Sequence, residues 1–388
     1  MEFSLTEDQM MIADSAITYL RDQSDSEAVR AAMQLESGCL AETWQVVTKE
    51  LGWHLTTVPE EYDGLGLGYI EQCLLLEQMG QHLFCAPFMS TAVLGTNALR
   101  LAGTDSQQQD YFHKLCHEGH RLAFAYAASG RIRGLEALTA TYQIENDEVV
   151  LNANYAHVVD GHTAETLIVV ARASGTSGDE GLAFFIIPAE SEGVMRRWQP
   201  GMDQTRKLAT VQLDHARFPL TVMMNEAGNA GRLFEQMYAL AAIATSAEQL
   251  GVAAKTLAMT VDYIAERKQF GRAVGSFQAM KHKAADMMLR VEIARAAVYY
   301  AASVADEFFA NAPQGEELIE AANIAKSYCS EAAFQNSAEA LQMHGGVGFS
   351  WEYDVHLYLK RAKASQHMFG DSTWHKQQLA TQLLGAVS

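Results

Sequence analysis

Two short segments toward the C-terminal end carry residues suited to gripping a phosphate. Gln342-Met343-His344-Gly345-Gly346-Val347-Gly348-Phe349 follows a long helical pattern, and Glu266-Arg267-Lys268-Gln269-Phe270-Gly271 lies about seventy residues upstream. Paired glycines let a backbone approach a ligand closely and take positive φ without a steric cost. N–H groups freed at such a helix end can point at a phosphate oxygen. Arg267 supplies a planar fork able to hold a pyrophosphate through two parallel hydrogen bonds. Each segment also has a plain structural reading: Gly-Gly as a helix C-cap, and a helical arginine as part of a solvated face. Taken together, in this order, they point to a bound dinucleotide such as FAD.

Overall charge narrows the choice of partner. A formal net charge of −19 disfavours an extended nucleic-acid footprint or an anionic membrane surface. It also repels a polyanionic cofactor, so local cations must attract one. Arg267, Lys268, Arg272, Lys281 and Lys283 crowd one stretch, and Lys360, Arg361 and Lys363 another. Screening over about 8 Å lets such patches override the global charge. Five cysteines without a C-x-x-C spacing argue against a disulfide scaffold or a zinc site and for a reducing cytoplasm. The first residues lack the order of a signal peptide, and no run reaches the length of a membrane helix. The expectation is a soluble cytoplasmic protein without membrane insertion.

The elements that must position these segments fall into three stretches, in an α+β arrangement. Residues 1–118 read as a helical domain, opening with a capping box of Thr6 and Gln9 and an apolar face of Met10, Ile12, Ala16, Ile17 and Leu20. The alternating glycines of 59–68 read as a loop between helices, because no strand–turn–helix unit surrounds them. Residues 119–225 read as an antiparallel β domain, with strands expected at 122–126, 139–144, 149–151, 166–170 and 182–187. Pro188, Pro200 and Pro219 punctuate that stretch. Residues 226–388 read as a four-helix bundle with helices at 231–268, 277–311 and 316–344, then a last helical pair. Leu250, Ala254, Leu257, Val261 and Ile264 form the expected apolar seam of the first. The gap at Pro313-Gln314-Gly315 suits antiparallel neighbours, and the Ala-rich run 239–247 suits close helix packing.

In order and motifs the whole chain resembles the acyl-CoA dehydrogenase family. Phe3-Ser4-Leu5-Thr6-Glu7-Asp8-Gln9 and 59–68 look like its N-terminal signatures. Arg267-Lys268-Gln269-Phe270-Gly271 with Phe277-Gln278 looks like its flavin-contacting arginine segment, and 342–349 like its glycine loop. The resemblance implies FAD at a subunit interface, with Arg267, Gln269, Phe270 and Gln278 reaching a neighbouring subunit's cofactor. Gln342, Gly345 and Gly346 would lie along its adenosine and pyrophosphate portion. It implies a homo- or hetero-oligomer that dehydrogenates an acyl-CoA thioester at its α and β carbons. A carboxylate takes the α-proton, the β-hydrogen leaves as hydride to the flavin, and electrons pass to an electron-transfer flavoprotein.

The chain departs from the family pattern where the base should be. Phe369 stands at the expected position in Met368-Phe369-Gly370-Asp371, and the alternative site falls near Ala241. A catalytic carboxylate needs a dry pocket that raises its pKa toward working pH. Asp371 is the candidate base, and a cap for the helix that follows is its other reading. Glu248 is the second candidate, with a buried hydrogen-bonded carboxylate as its alternative. In Ala125-Tyr126-Ala127-Ala128-Ser129 and 156–161, His157 and Val159 replace an expected aromatic and hydroxyl, and an expected arginine is absent near Ala242. Asp203-Gln204-Thr205-Arg206 with Gly370-Asp371 looks most like a subgroup of paired unlike subunits acting on bulky (steroid side chain) or dicarboxylic acyl-CoAs. Two readings follow: a dehydrogenase subunit using Asp371 or a partner's acid, or a non-catalytic partner completing another subunit's FAD site. A different flavin enzyme on the same fold, an oxidase or oxygenase, is a third. His344 reads as a helix-terminal residue interacting with the dipole, and no metal site is expected.

Overall fold

The computed structural model describes residues 5–128, 134–224, 229–311 and 315–385. Phe3, Ser4, Ser129, Pro313 and Gln314, all used above, lie outside the described residues. The first stretch contains α1 (Glu7–Gln23), α2 (Ser26–Gln34), α3 (Ala41–Val46), α4 (Tyr69–Gln81), α5 (Thr96–Ala102) and α6 (Asp105–Glu118). The capping box forms: Gln9 N donates to Thr6 Oγ1 at 3.2 Å and Thr6 N donates to Gln9 Oε1 at 3.0 Å. The loop before α4 uses its own N–H groups internally. Leu65 N donates to Leu55 O, Gly66 N to Val58 O and Leu67 N to Thr56 O, leaving those donors no part in phosphate binding.

Packing groups the residues differently from three consecutive segments. One compact unit contains 1–30, 69–84 and 242–388, and the other contains 31–68 and 85–241. The reason is visible in α4, where ten of thirteen residues are buried, Gln72, Glu77 and Gln78 among them. A helix buried nearly all round belongs inside a bundle rather than on a surface.

The second unit holds a seven-stranded sheet: β1 (Leu122–Ala125), β2 (Thr141–Glu145), β3 (Glu148–Val159), β4 (Thr166–Ala173), β5 (Leu182–Pro188), β6 (Val194–Gln199) and β7 (Leu208–Pro219). Most pairings are antiparallel, as expected, but β4 pairs in parallel with β1 and, over two residues, with β2. Its residues Thr166–Ala171 are all buried, a continuous run that suits a central strand. β5 covers one edge of β4 along its length, so β1 and β2 share the other edge in series. The sequence reading omitted β6 and β7 and cut β3 short. Asn152, Asn154 and His157 are poor strand formers, and long antiparallel pairing with β7 overrides them.

The other unit is helical: the C-terminal part of α7 (Ala230–Glu266), then α8 (Gln278–Asn311), α9 (Glu316–His344), α10 (Val355–His367) and α11 (Ser372–Leu384). The last two are the expected helical pair. α9 packs against α8, α10 and α11, and α4 packs against α1 and α8. The buried side of α7 differs from the expected seam. Val261 is exposed, whereas Thr256 and Thr260 are fully buried, with their hydroxyls donating to Val252 O and Thr256 O. Back-bonding of this kind lets threonine face a core.

Helices α4 and α7 cross at two glycines. A Cβ on Gly80 would sit 2.2 Å from Glu248 O, and one on Gly251 would sit 1.9 Å from Glu77 O. Beside this crossing Glu77 accepts from Arg295 and from Tyr299 Oη (2.7 Å), while Glu248 accepts from Arg361. Asp306 of α8 accepts from the first N–H groups of α4, those of Tyr69 and Ile70. Gly251→Ala places its methyl against a backbone oxygen that no rotamer change can move. We expect a loss of about 3 kcal/mol in urea unfolding. A loss below about 0.5 kcal/mol would mean that the helices separate without cost.

Candidate functional site

The arginine segment is a tight hairpin at the end of α7. Arg267 N donates to Tyr263 O at 2.9 Å, closing the helix, and Val274 N returns to Arg267 O at 2.7 Å. Between them β8 (Lys268–Gln269) and β9 (Arg272–Ala273) pair antiparallel around Phe270-Gly271. Both turn residues have positive φ, 51° and 80°, as a two-residue hairpin turn of the primed type requires. Glycine accepts that conformation freely; Phe270 does not. Its ring is nonetheless 92% exposed. The Arg272 guanidinium lies over the Phe277 ring, 4.0 Å from its centroid.

The glycine loop ends α9. Gly345 has φ 65° and ψ −146°, a backbone state outside the helical region, and Gly345–Phe349 forms a short 3-10 turn. A Cβ added at Gly345, Gly346 or Gly271 would meet nothing within 4 Å. These glycines are therefore not demanded by packing within the chain at those points. His344 stacks on Tyr263 with ring centroids 4.3 Å apart, which joins the ends of α9 and α7. Ile264, Leu341, Met343 and Val355 form the apolar cluster there, with Val274 and Met280 packed against it. Both segments thus occupy one end of the helical unit. Burial lowers the His344 pKa, opposed by its bond to Ala340 O (2.7 Å), so a neutral ring donates to that helix-end carbonyl. The dipole interaction expected for a cationic ring becomes this hydrogen bond.

Family models described as acyl-CoA dehydrogenase N-terminal domain and acyl-CoA dehydrogenase C-terminal domain match residues 6–119 and 239–384. The chain belongs to the acyl-CoA dehydrogenase family. Acyl-CoA dehydrogenase IpdE2 of Mycobacterium tuberculosis strain H37Rv is 30% identical over 369 residues, covering 93% of each chain. Its namesake in Mycolicibacterium smegmatis is 29% identical, over 94% of this chain and 96% of that one. Butyryl-CoA dehydrogenase of Megasphaera elsdenii has the same fold, with TM-score 0.89 at 23% identity over 99% of this chain and all of that one. A chain of the ChsE4-ChsE5 complex of Mycobacterium tuberculosis superposes with TM-score 0.87 at 23% identity over both full lengths.

Family membership makes the protein an oxidoreductase and implies FAD. The surface at this end of the bundle fits such a dinucleotide. Arg267, Gln269, Phe270, Gln278, Gln342, Gly345 and Gly346 are all exposed, with open space over the glycines. Among the described residues no group of three or more His, Cys, Asp or Glu side chains could hold a metal, and no helix is long and apolar enough to cross a membrane.

The acids that acyl-CoA dehydrogenase chemistry would need are engaged in structure. Asp371 is the N-cap of α11: its Oδ1 accepts from Trp374 N at 2.9 Å. Glu248 is paired with Arg361, and their side chains are 4% and 1% exposed. Phe369, where the sequence resemblance expects a base, is buried with φ 53°, followed by Gly370 at φ 92°. Ala241 and Ala242 are fully buried. His157 has φ 59° at a bulge of β3 and is exposed. Asp203 accepts from the N–H and hydroxyl of Thr205, closing a local turn.

Sequence reasoning missed the polar core around Lys326, Gln249, Ser330, Asn323 and His375, all buried. Asn323, Lys326 and Ser330 step by three and four residues through an Ala-rich helix, and that spacing was the available signal.

Gly346 separates ligand binding from folding, since its φ is not positive and its Cβ direction is open. Gly346→Ala should change stability by less than about 0.5 kcal/mol. We expect flavin content, read as visible absorbance against protein absorbance, to fall about tenfold or more. Full flavin retention would remove the glycine loop from the cofactor site.

Proposed function

We propose that this chain is an FAD-binding acyl-CoA dehydrogenase subunit that dehydrogenates a thioester at its α and β carbons. Its acyl group is bulky, of the steroid side-chain type, or dicarboxylic. The reading is carried by the arginine hairpin and the glycine loop lying together, exposed, at one end of the helical unit. Bound FAD supplies a two-electron acceptor. Arg267, Gln269, Phe270 and Gln278 would hold a neighbouring subunit's cofactor, with Gln342, Gly345 and Gly346 along its pyrophosphate. A carboxylate takes the α-proton as the β-hydrogen departs with its electron pair, leaving a carbon–carbon double bond. Asp371 is the proposed base. An electron-transfer flavoprotein is the proposed acceptor, and the cytoplasm the proposed location. The match to chains named IpdE2 supports dehydrogenase chemistry.

A second reading is favoured by the capping of Asp371 and the pairing of Glu248. In it the chain completes the FAD site of an unlike subunit, which brings the base. A neighbour such as the ChsE4-ChsE5 complex has that kind of composition by name.

Asp371→Asn distinguishes the two, because asparagine caps a helix about as well as aspartate but cannot accept the α-proton. If Asp371 is the base, flavin content and unfolding midpoint stay unchanged. Reduction of the flavin by acyl-CoA then falls by a factor of about 10² to 10⁴, the range ascribed to general base catalysis. Undiminished reduction in the assembled enzyme assigns the base to the partner. Asp371→Ala serves as the structural control, losing about 1 kcal/mol of stability.

A further inference from the structure

The turn between α10 and α11 is held from beneath by a buried polar network. Lys326, fully buried in α9, directs its ammonium at Ser330 Oγ (2.8 Å), Gly370 O (3.0 Å), Ser365 O (3.3 Å) and Gln366 O (3.3 Å). Burial pulls the Lys326 pKa down to about 7; as an ammonium it brings three protons to four oxygens, so the two longer contacts share one. Ser365 and Gln366 belong to the last turn of α10, whose carbonyls have no partner within the helix. Gly370 lies beyond it.

On the other side His375, 1% exposed, contacts Phe369 O through Nε2 at 2.8 Å and Asn323 through Nδ1 at 2.7 Å. Burial, with Lys326 nearby, pulls its pKa down to about 3, so the ring is neutral. A carbonyl only accepts, which puts the ring proton on Nε2. Nδ1 then accepts, which requires the Asn323 carboxamide, whose Oδ1 lies nearest, to turn and present its N–H instead. Gln249 of α7 completes the network, donating to Ser365 Oγ at 3.2 Å and accepting from Ser330 Oγ at 3.3 Å.

Every carbonyl named here is turned inward, and two belong to consecutive residues with positive φ, Phe369 and Gly370. Phenylalanine avoids that region unless its surroundings impose it. The same segment cannot slide toward α11, because Asp371 caps that helix. A buried ammonium is a poor stabiliser compared with an apolar side chain of similar size. What this one supplies is direction: it specifies where four oxygens point.

We infer that Lys326 and His375 are positioning residues that fix the Phe369-Gly370 turn and thereby the side chain it presents to the acyl thioester. The inference rests on the reading that this turn borders the acyl-CoA site. It assigns a role in substrate positioning to residues that touch neither substrate nor cofactor.

The test uses the FAD-loaded enzyme, with its partner subunit if one is required for loading. Lys326→Met and His375→Leu are compared with His375→Gln, whose amide retains a donor for Phe369 O. Amide hydrogen exchange at Gly370, Asp371 and Ser372 should rise about tenfold relative to the centre of α9 in the first two variants. Dissociation constants for butyryl-CoA and a steroid-side-chain CoA ester, read from the flavin spectrum, should rise about tenfold with flavin content unchanged. His375→Gln should restore both. Exchange that is unchanged at the turn, or that rises equally through α9, α10 and α11, overturns the inference. So does unaltered affinity with a loosened turn. If Lys326→Met does not fold, the His375 pair decides alone. A parent enzyme that binds neither thioester refutes the acyl-CoA reading and the positioning role with it, whereas binding by the parent isolates the variants' effect.

Discussion

A carboxylate inside a helical bundle stays charged only when a cation or several donors are held against it. Much of this structure is arranged to meet that demand. Gly80 and Gly251 bring α4 and α7 so close that the peptide oxygens of Glu77 and Glu248 occupy the space of the missing Cβ atoms. The two glutamate side chains then leave the crossing toward Arg295 and Arg361. These pairs tie α4 to α8 and α7 to α10. Removing either cation would strand a buried charge, which makes the pairing a constraint on geometry rather than a large net gain in stability.

That constraint bears on chemistry. A general base needs a carboxylate whose proton affinity rises when it loses water and which faces the substrate. Glu248 is buried, but its carboxylate is occupied by the Arg361 guanidinium. Its placement matches the alternative raised for it, a buried hydrogen-bonded carboxylate. Asp371 is less enclosed and sits at the head of a helix, where its carboxylate accepts from the N–H of Trp374. Three of the cysteines are held as thiols: burial pushes Cys39 and Cys329 up to about 12 and Cys116 up to about 11.

The fold was legible where residues repeat a local rule. The Thr6–Gln9 box, the helix 316–344 and the strands at 166 and 182 follow from capping, periodicity and apolar runs, because in each case the local signal and the tertiary outcome agree. It was illegible where partners decide. β6 and β7 carry Arg196, Arg197, Asp214 and His215, and become strands through pairing with each other and with β3. The threonine-lined side of α7 was hidden because a hydroxyl counts as polar until it bonds four residues back. For the candidate site the motifs were readable as motifs. Their gathering at one end of the bundle depends on the contact between Tyr263 and His344, eighty-one positions apart in sequence, which no spacing rule contains. Lys326 was missed because a lone lysine in a helix is ordinarily solvated, and its spacing from Asn323 and Ser330 gains meaning only beside its four oxygens.

The proposed cofactor surface has a further property that bears on assembly. Phe270 holds its backbone in a conformation unfavourable for an aromatic residue and leaves nearly its whole ring in water. Neither choice stabilises a lone chain. Arg272 already lies against Phe277, so the hairpin tip is kept in shape by its own contacts rather than by the rest of the fold. On a chain of net charge −19, attraction of a pyrophosphate must come from the cations nearest to it. A rigid, exposed aromatic beside Arg267 and Lys268 therefore makes physical sense as half of a site, whose other half is supplied from outside the chain. On this argument the arginine hairpin gains its favourable free energy upon association, and cofactor retention and oligomer formation should be one linked equilibrium rather than two.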